Sequence, residues 1–211
     1  MGLMLGGDQG HARKGIQMKR ATVRITAALV VGAALALPAS AGAVTIGSDL
    51  KPAAPEGLGY GCSALDSCAL IQTVLPDNPN KLTSRVNGTV RKWRYRRGAD
   101  PLVDDLRLWV VKRGAGTAAT FLRHSEFVTA GPEAGIYVFK TKLKISKGQQ
   151  IAVELGAGDH WQLSVSHPGA LSQDYFPTPS LGLSTTTIDD SSNYEFLWNA
   201  SVKKPKHKKK H

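Results

Sequence analysis

Between its two basic ends the chain carries three histidines, His124, His160 and His167, with Asp159, Asp174, Asp189 and Asp190 near them in sequence. Hydrolysis would need a nucleophile, a base and an orienting acid, or two carboxylates facing across a cleft. No G-x-S-x-G or H-E-x-x-H run accompanies these residues. Asp159-His160 falls in a Gly-rich turn, where polar residues are favoured on conformational grounds alone. Asp189-Asp190 is an adjacent acidic pair of the kind that water solvates without a cation. The expectation is a protein that is not an enzyme and holds no metal and no cofactor, with an extracellular hydrolase as the third choice.

Cys62 and Cys68, in GCSALDSC, are the only cysteines. Redox and metal-binding pairs favour C-x-x-C spacing with histidines close by, and neither is present. An even count in an exported chain points to a structural disulfide.

Two binding chemistries remain. A sugar site needs an exposed aromatic plate with amides or acids around it. Trp109 is the first candidate, because its strand is apolar on both faces: Leu106, Leu108 and Val110 on one, Trp109 and Val111 on the other. A central strand buried on both sides gives the same pattern. Tyr175 and Phe176 form a second plate, while Trp93, Trp161 and Trp198 are assigned to the core. A polyanion site needs cations gathered on one surface. Lys92, Arg94 and Arg96 alternate along one strand, and Lys140, Lys142 and Lys144 along another. Were the two strands in one sheet, six cations would share a face. The rival reading is two solvated faces, with lysine protecting the sheet edges.

The chain ends in KKPKHKKKH, with lysines at Lys203, Lys204, Lys206, Lys208, Lys209 and Lys210. Pro205 and the lack of apolar residues preclude a packed element, so residues 203–211 are expected to be disordered. His207 and His211 are too few to build a metal site. Near an anionic surface each lysine contributes about 1 kcal/mol, which suits attachment to an envelope polymer or an acidic lipid surface.

The elements that must carry these residues are strands. GIYVFKTKLKI (135–145) has the cleanest period of two, with Tyr137, Phe139, Thr141, Leu143 and Ile145 on one face and the three lysines on the other. CALIQTVL (68–75), TVRKWRYRR (89–97), DDLRLWVVKR (104–113), residues 118–128, IAVEL, WQLSVSH and FLWNASV (196–202) add further short strands between turn signals. No segment of this body has a helical apolar stripe. Short strands at regular spacing predict an all-β, two-sheet antiparallel sandwich, jelly-roll-like. Residues 167–194, with three prolines and many Ser and Thr, read as a long connection.

The net charge of +11 sits at the ends: five Lys or Arg and one acid precede Val44, six lysines follow from Lys203, and the body has sixteen basic against fifteen acidic residues. A nearly neutral body argues against nucleic acid as the partner. MKRATVRITAALVVGAALALPASAGA (18–43) has a basic start, an apolar run of thirteen residues and two A-x-A sites. That is the pattern of a secretory signal peptide on an N-terminal helix, too short to span a bilayer. The expected organisation is a signal peptide over 1–43, with Met18 as a possible true start, a sandwich over 44–202, and the basic tail. No membrane span would remain after processing.

The paired cysteines, G-x-V-x-x-W-R at Gly88, Val90, Trp93 and Arg94, K-G-Q-Q-I-A-V at 147–153 and the closing FLWNASV together resemble a group of exported, largely uncharacterised β-sandwich proteins of actinobacteria. The resemblance implies a secreted jelly-roll-like domain and brings no catalytic residues. Members often continue into Asp-rich extensions, where this chain has lysines. The expectation is a secreted or envelope-associated, non-enzymatic sandwich that binds anionic envelope or extracellular polymers, with a carbohydrate-binding module as the alternative.

Overall fold

Alternation of β-branched and aromatic residues with polar ones puts almost the whole body into strands. The computed structural model describes residues 43–51, 60–62, 66–98, 104–157, 160–161, 164–175, 177–182, 184–185 and 189–205. In chain order the strands are β1 Ala43–Gly47, β2 Tyr60–Gly61, β3 Cys68–Val74, β4 Gly88–Arg97, β5 Asp104–Arg113, β6 Ala119–His124 and β7 Val128–Ala130. They continue as β8 Gly135–Ile145, β9 Gln150–Leu155, β10 His160–Trp161, β11 Ser164–Tyr175, β12 Ser184–Thr185, β13 Asp189–Phe196 and β14 Trp198–Lys203. One 3-10 turn, Pro79–Lys81, interrupts them. Among the described residues no helix is long and apolar enough to cross a membrane.

Two antiparallel sheets carry the fold. One has the order β1-β14-β4-β8; the other, of eight strands, has the order β12-β6-β5-β9-β3-β11-β13 with β7 beside β5. Taking β1, β3, β4, β5, β6, β8, β9 and β14 as the frame, one sheet runs first, last, third, sixth and the other fifth, fourth, seventh, second. That is the strand order of a jelly roll. The hairpin of β11 and β13, inserted between the last two frame strands, extends the larger sheet beyond β3.

The core lies between the sheets. Val90, Trp93, Tyr95, Leu143, Ile145, Trp198 and Val202 from the smaller sheet meet Leu70, Leu106, Leu108, Val110, Val153 and Leu155 from the larger. Trp93 packs on Phe139 with ring centroids 4.7 Å apart, and Phe196 stacks on Trp198 at 4.8 Å. A buried ion pair ties the sheets at one end: Arg97 of β4 meets Asp104 of β5 at 3.3 Å, with both side chains at 0% exposure. The Tyr95 hydroxyl donates to the same carboxylate at 3.0 Å. Cys62 and Cys68 form a disulfide, with Cα atoms 5.5 Å apart.

Three expectations change. Residues 167–194 are not one long loop, because β11 continues to Tyr175 and β13 begins at Asp189. Pro168 and Gly169 mark a bulge, where the β11–β13 register shifts between Ser166 and Leu171. Gly169 has φ +81, a conformation other residues adopt only under strain. The Gln72 amide fills this irregularity, donating to Leu171 O at 2.8 Å and Tyr194 O at 3.1 Å while its oxygen accepts from Phe196 N at 2.7 Å. Second, Lys203 belongs to the sandwich, as the last residue of β14, rather than to the tail. Third, β1 begins at Ala43, which pairs with Lys203. Its five residues are too few to announce a strand by periodicity.

Candidate anion-binding face

β4 pairs with β8, and the register sets Lys92 opposite Lys140, Arg94 opposite Val138, Arg96 opposite Ile136 and Thr89 opposite Lys144. The inward positions Val90, Trp93 and Tyr95 are buried, so Lys92, Arg94 and Arg96 point outward with Lys140, Lys142 and Lys144. The two stripes therefore lie on one face. Lys140, Lys142 and Lys144 are exposed, while Lys92, Arg94 and Arg96 are half-buried by their neighbours in the middle of the sheet. The Arg96 guanidinium donates to Leu50 O at 2.7 Å, so the segment after β1 closes that end. Asn199 on the same face donates to Ser48 O at 2.8 Å.

The charge pattern extends beyond the six residues. The four strands of this sheet contain no Asp or Glu, against five cations on β4 (Arg91, Lys92, Arg94, Arg96, Arg97), three on β8 and Lys203 on β14. The larger sheet carries seven acids (Asp104, Asp105, Glu154, Asp174, Asp189, Asp190, Glu195) and four cations (Arg107, Lys112, Arg113, Arg123). Of those acids Asp104, Glu154, Asp174 and Glu195 are buried, so what sets the smaller sheet apart is that its strands expose cations and no acid. Of the outward cations only Arg96 has a polar partner among the described contacts; Arg97 turns inward to Asp104.

Arg91 is the residue that periodicity misplaces. Strict alternation puts it on the face of Trp93 and Tyr95. The register of β4 against β8 shifts between Val90 and Lys92, so Val90 and Trp93 both face the core although three apart. Arg91, where the alternation breaks, is exposed. The one sequence signal is that mismatch, an arginine at a core-parity position. At the same end Lys203 and Lys204 are exposed beside the start of β4, and a pocket of about 450 Å³ is lined by Arg91, Lys144, Lys203 and Lys204 with Asn87, Thr89, Ser146 and Pro205. Lys206, Lys208, Lys209 and Lys210 lie outside the described residues.

The sugar-stacking candidates do not assemble. Trp109 is 1% exposed, its ring edge-on to Phe121 at 5.2 Å and against His124 at 4.6 Å. Its indole nitrogen donates to the buried Glu154 carboxylate, which Arg107 also engages. Trp109 sits in a second buried cluster with Ile71, Val111, Phe121, Ala152 and Tyr175, so the face of β5 turned away from the main core is buried as well. Tyr175 is also 1% exposed, packed on Phe121, with its hydroxyl donating to Thr117 O at 2.8 Å. Phe176 lies outside the described residues. Neither described ring offers a plate.

The histidines are engaged structurally. His167 lies between two carboxylates, with Nδ1 2.6 Å from Glu195 and Nε2 3.5 Å from Asp77. That leaves no described hydroxyl or thiol on either ring nitrogen. His124 Nδ1 meets Ser125 O at 2.8 Å. The side chains of Asp159, His160, Asp189 and Asp190 lie outside the description. Among the described residues no group of three or more His, Cys, Asp or Glu is placed to hold a metal ion. Comparison with protein-family models, with curated proteins and with solved structures finds no match to this chain.

Proposed function

We propose that the protein is an exported, non-enzymatic sandwich that binds anionic polymers of the cell envelope or extracellular matrix through the outer face of its β1-β14-β4-β8 sheet. The observation that carries this reading is the absence of any carboxylate from four adjacent strands that hold nine cations, all but the inward Arg97 outside the core. A face kept merely soluble mixes both signs, because like charges directly opposite each other destabilise a sheet. Here Lys92 and Lys140 stand in register with no intervening acid. A polyanion laid across the face would relieve that repulsion, and its affinity would fall as salt screens the charges.

The disulfide supports export to an oxidising compartment, as does the signal-peptide pattern. The resemblance to exported actinobacterial sandwiches is in keeping with it. The lysines beyond Pro205 continue from the same end of the face and would extend its reach.

The test is retention of the mature protein on immobilised anionic polysaccharide and on phosphate-rich wall polymer, against a neutral glycan, across a salt series. Replacing Lys92, Arg94, Lys140 and Lys142 with glutamine is expected to abolish retention at physiological salt while leaving the fold intact. Unchanged retention by that variant, or equal retention on the neutral glycan, would refute the reading.

A further inference from the structure

The cationic face ends in a concave site. Three strand ends meet there: the start of β4, the end of β8 and the end of β14. Each brings a cation of its own, Arg91 from β4, Lys144 from β8, and Lys203 with Lys204 from the β14 end. No acidic residue lines the pocket, and Thr89 and Ser146 add hydroxyls.

The close approach of these strands is built into the sequence. A Cβ at Gly88 would lie 2.6 Å from Lys203 O and 2.7 Å from Val202 Cγ1, so only glycine lets the end of β14 lie this tightly against β4. The opposite wall is pinned as well. Arg123, from the other sheet, donates to Lys144 O at 2.6 Å, and Lys147 N donates to Asn87 Oδ1 at 2.9 Å. The cations thus stand on a fixed backbone frame, unlike charges scattered along an open strand.

We propose that this pocket is a phosphate-binding site that takes a phosphorylated sugar or polyol, with the phosphate held among Arg91, Lys144, Lys203 and Lys204. The inference rests on the polyanion reading of the face, since the pocket is where that face would grip one unit of a chain. A tetrahedral dianion accepts from donors arriving on several sides, which suits cations on three strand ends better than a planar carboxylate does. The volume of about 450 Å³ is in the range of small-ligand sites and exceeds what a bare anion fills, leaving room for the organic part.

The test uses the full mature chain and glycerol 3-phosphate, followed by NMR titration at constant physiological ionic strength, with succinate as a dianion without phosphate. Saturable one-to-one binding of glycerol 3-phosphate in preference to succinate is expected. R91Q with K204Q should weaken it about thirtyfold, about fivefold for each cation removed. K92Q with K140Q, on the open face, should leave that affinity within about twofold and lower polymer retention instead. All four positions are exposed or half-buried, so melting curves should show folded variants. Absence of saturation, no preference over succinate, or equal losses in both double variants would overturn the proposal. Should the polymer still bind in a salt-dependent way while glycerol 3-phosphate does not, the pocket fails and the face reading stands. Should glycerol 3-phosphate bind while K92Q with K140Q leaves polymer retention unchanged, the face reading fails on its own.

Discussion

Reversing one charge at Lys140 should stabilise the fold and impair binding at once. Lys140 stands opposite Lys92 in the β4–β8 ladder, diagonal to Arg94, and two residues from Lys142 on the same face. Taking charge separations of about 7 Å, each like-charge neighbour repels by about 0.6 kcal/mol in water, reduced to about 0.25 kcal/mol by a Debye length of about 8 Å. Lys140→Glu turns three such repulsions into attractions, a change of about 1.5 kcal/mol at physiological salt. For a domain of this size that corresponds to a rise in Tm of about 3–6 °C.

Salt provides the control. At about 1 M the Debye length falls to about 3 Å, and about three-quarters of the gain should vanish. Binding should move the other way. Two units of charge are lost from the face, worth about 2 kcal/mol against an anionic surface, so affinity for polyanion should drop by about 10–30-fold. Scanning calorimetry and retention assays on one preparation measure both. A variant that binds less because it is damaged would melt lower, so opposite signs identify electrostatics. A Tm that falls, or that rises equally in high salt, would refute the argument.

Other perturbations probe the frame. Gln72→Leu should cost about 2 kcal/mol in urea unfolding, because it leaves the buried Phe196 N without its acceptor and takes the donor from the partly buried Leu171 O and Tyr194 O. Arg97→Met should cost about 3–5 kcal/mol by leaving Asp104 buried without its guanidinium, and Arg97→Met with Asp104→Leu should recover much of that loss. Reducing the Cys62–Cys68 bond closes no long loop, so calorimetry should show a loss of only about 2 kcal/mol with the fold retained. Removing residues 206–211 should leave Tm unchanged and weaken polymer retention at low salt.

What could be read from the sequence was local. Residues 135–145 show alternation and residues 104–113 an apolar run between turn signals, and β8 and β5 have those bounds. The jelly-roll order is not local: β1 pairs with β14 across most of the chain, and β4 reaches β8 over three intervening strands. Coplanarity of the two basic stripes is therefore a product of topology that neither stripe contains. Where alternation breaks, the reading failed for a physical reason. Pro168 and Gly169 look like loop punctuation and instead make a bulge within a strand, while the shift at Val90 and Lys92 turns Arg91 outward. The parity of Arg97 with Tyr95 takes it into the core beside Asp104. Trp109 was ambiguous because an apolar strand reads alike at an edge and in the centre of a sheet.

On the proposed reading, the segregation of charge is what separates a binding face from a solvated one. Lysines that only protect an edge would be needed on β8, which ends the smaller sheet. They would not be needed on β4, an interior strand whose Lys92 and Arg94 lie between β14 and β8. Solubility gains nothing from keeping every acid off this sheet, since mixed signs serve as well and avoid cross-strand repulsion. A body with sixteen cations and fifteen acids could have interleaved them, and the larger sheet does contain both. Concentrating one sign on one side gives the sandwich an electrical orientation. On the proposed reading, a negative polymer would meet the smaller sheet, and the end of that sheet with Arg91, Lys144, Lys203 and Lys204 would present it with the densest charge.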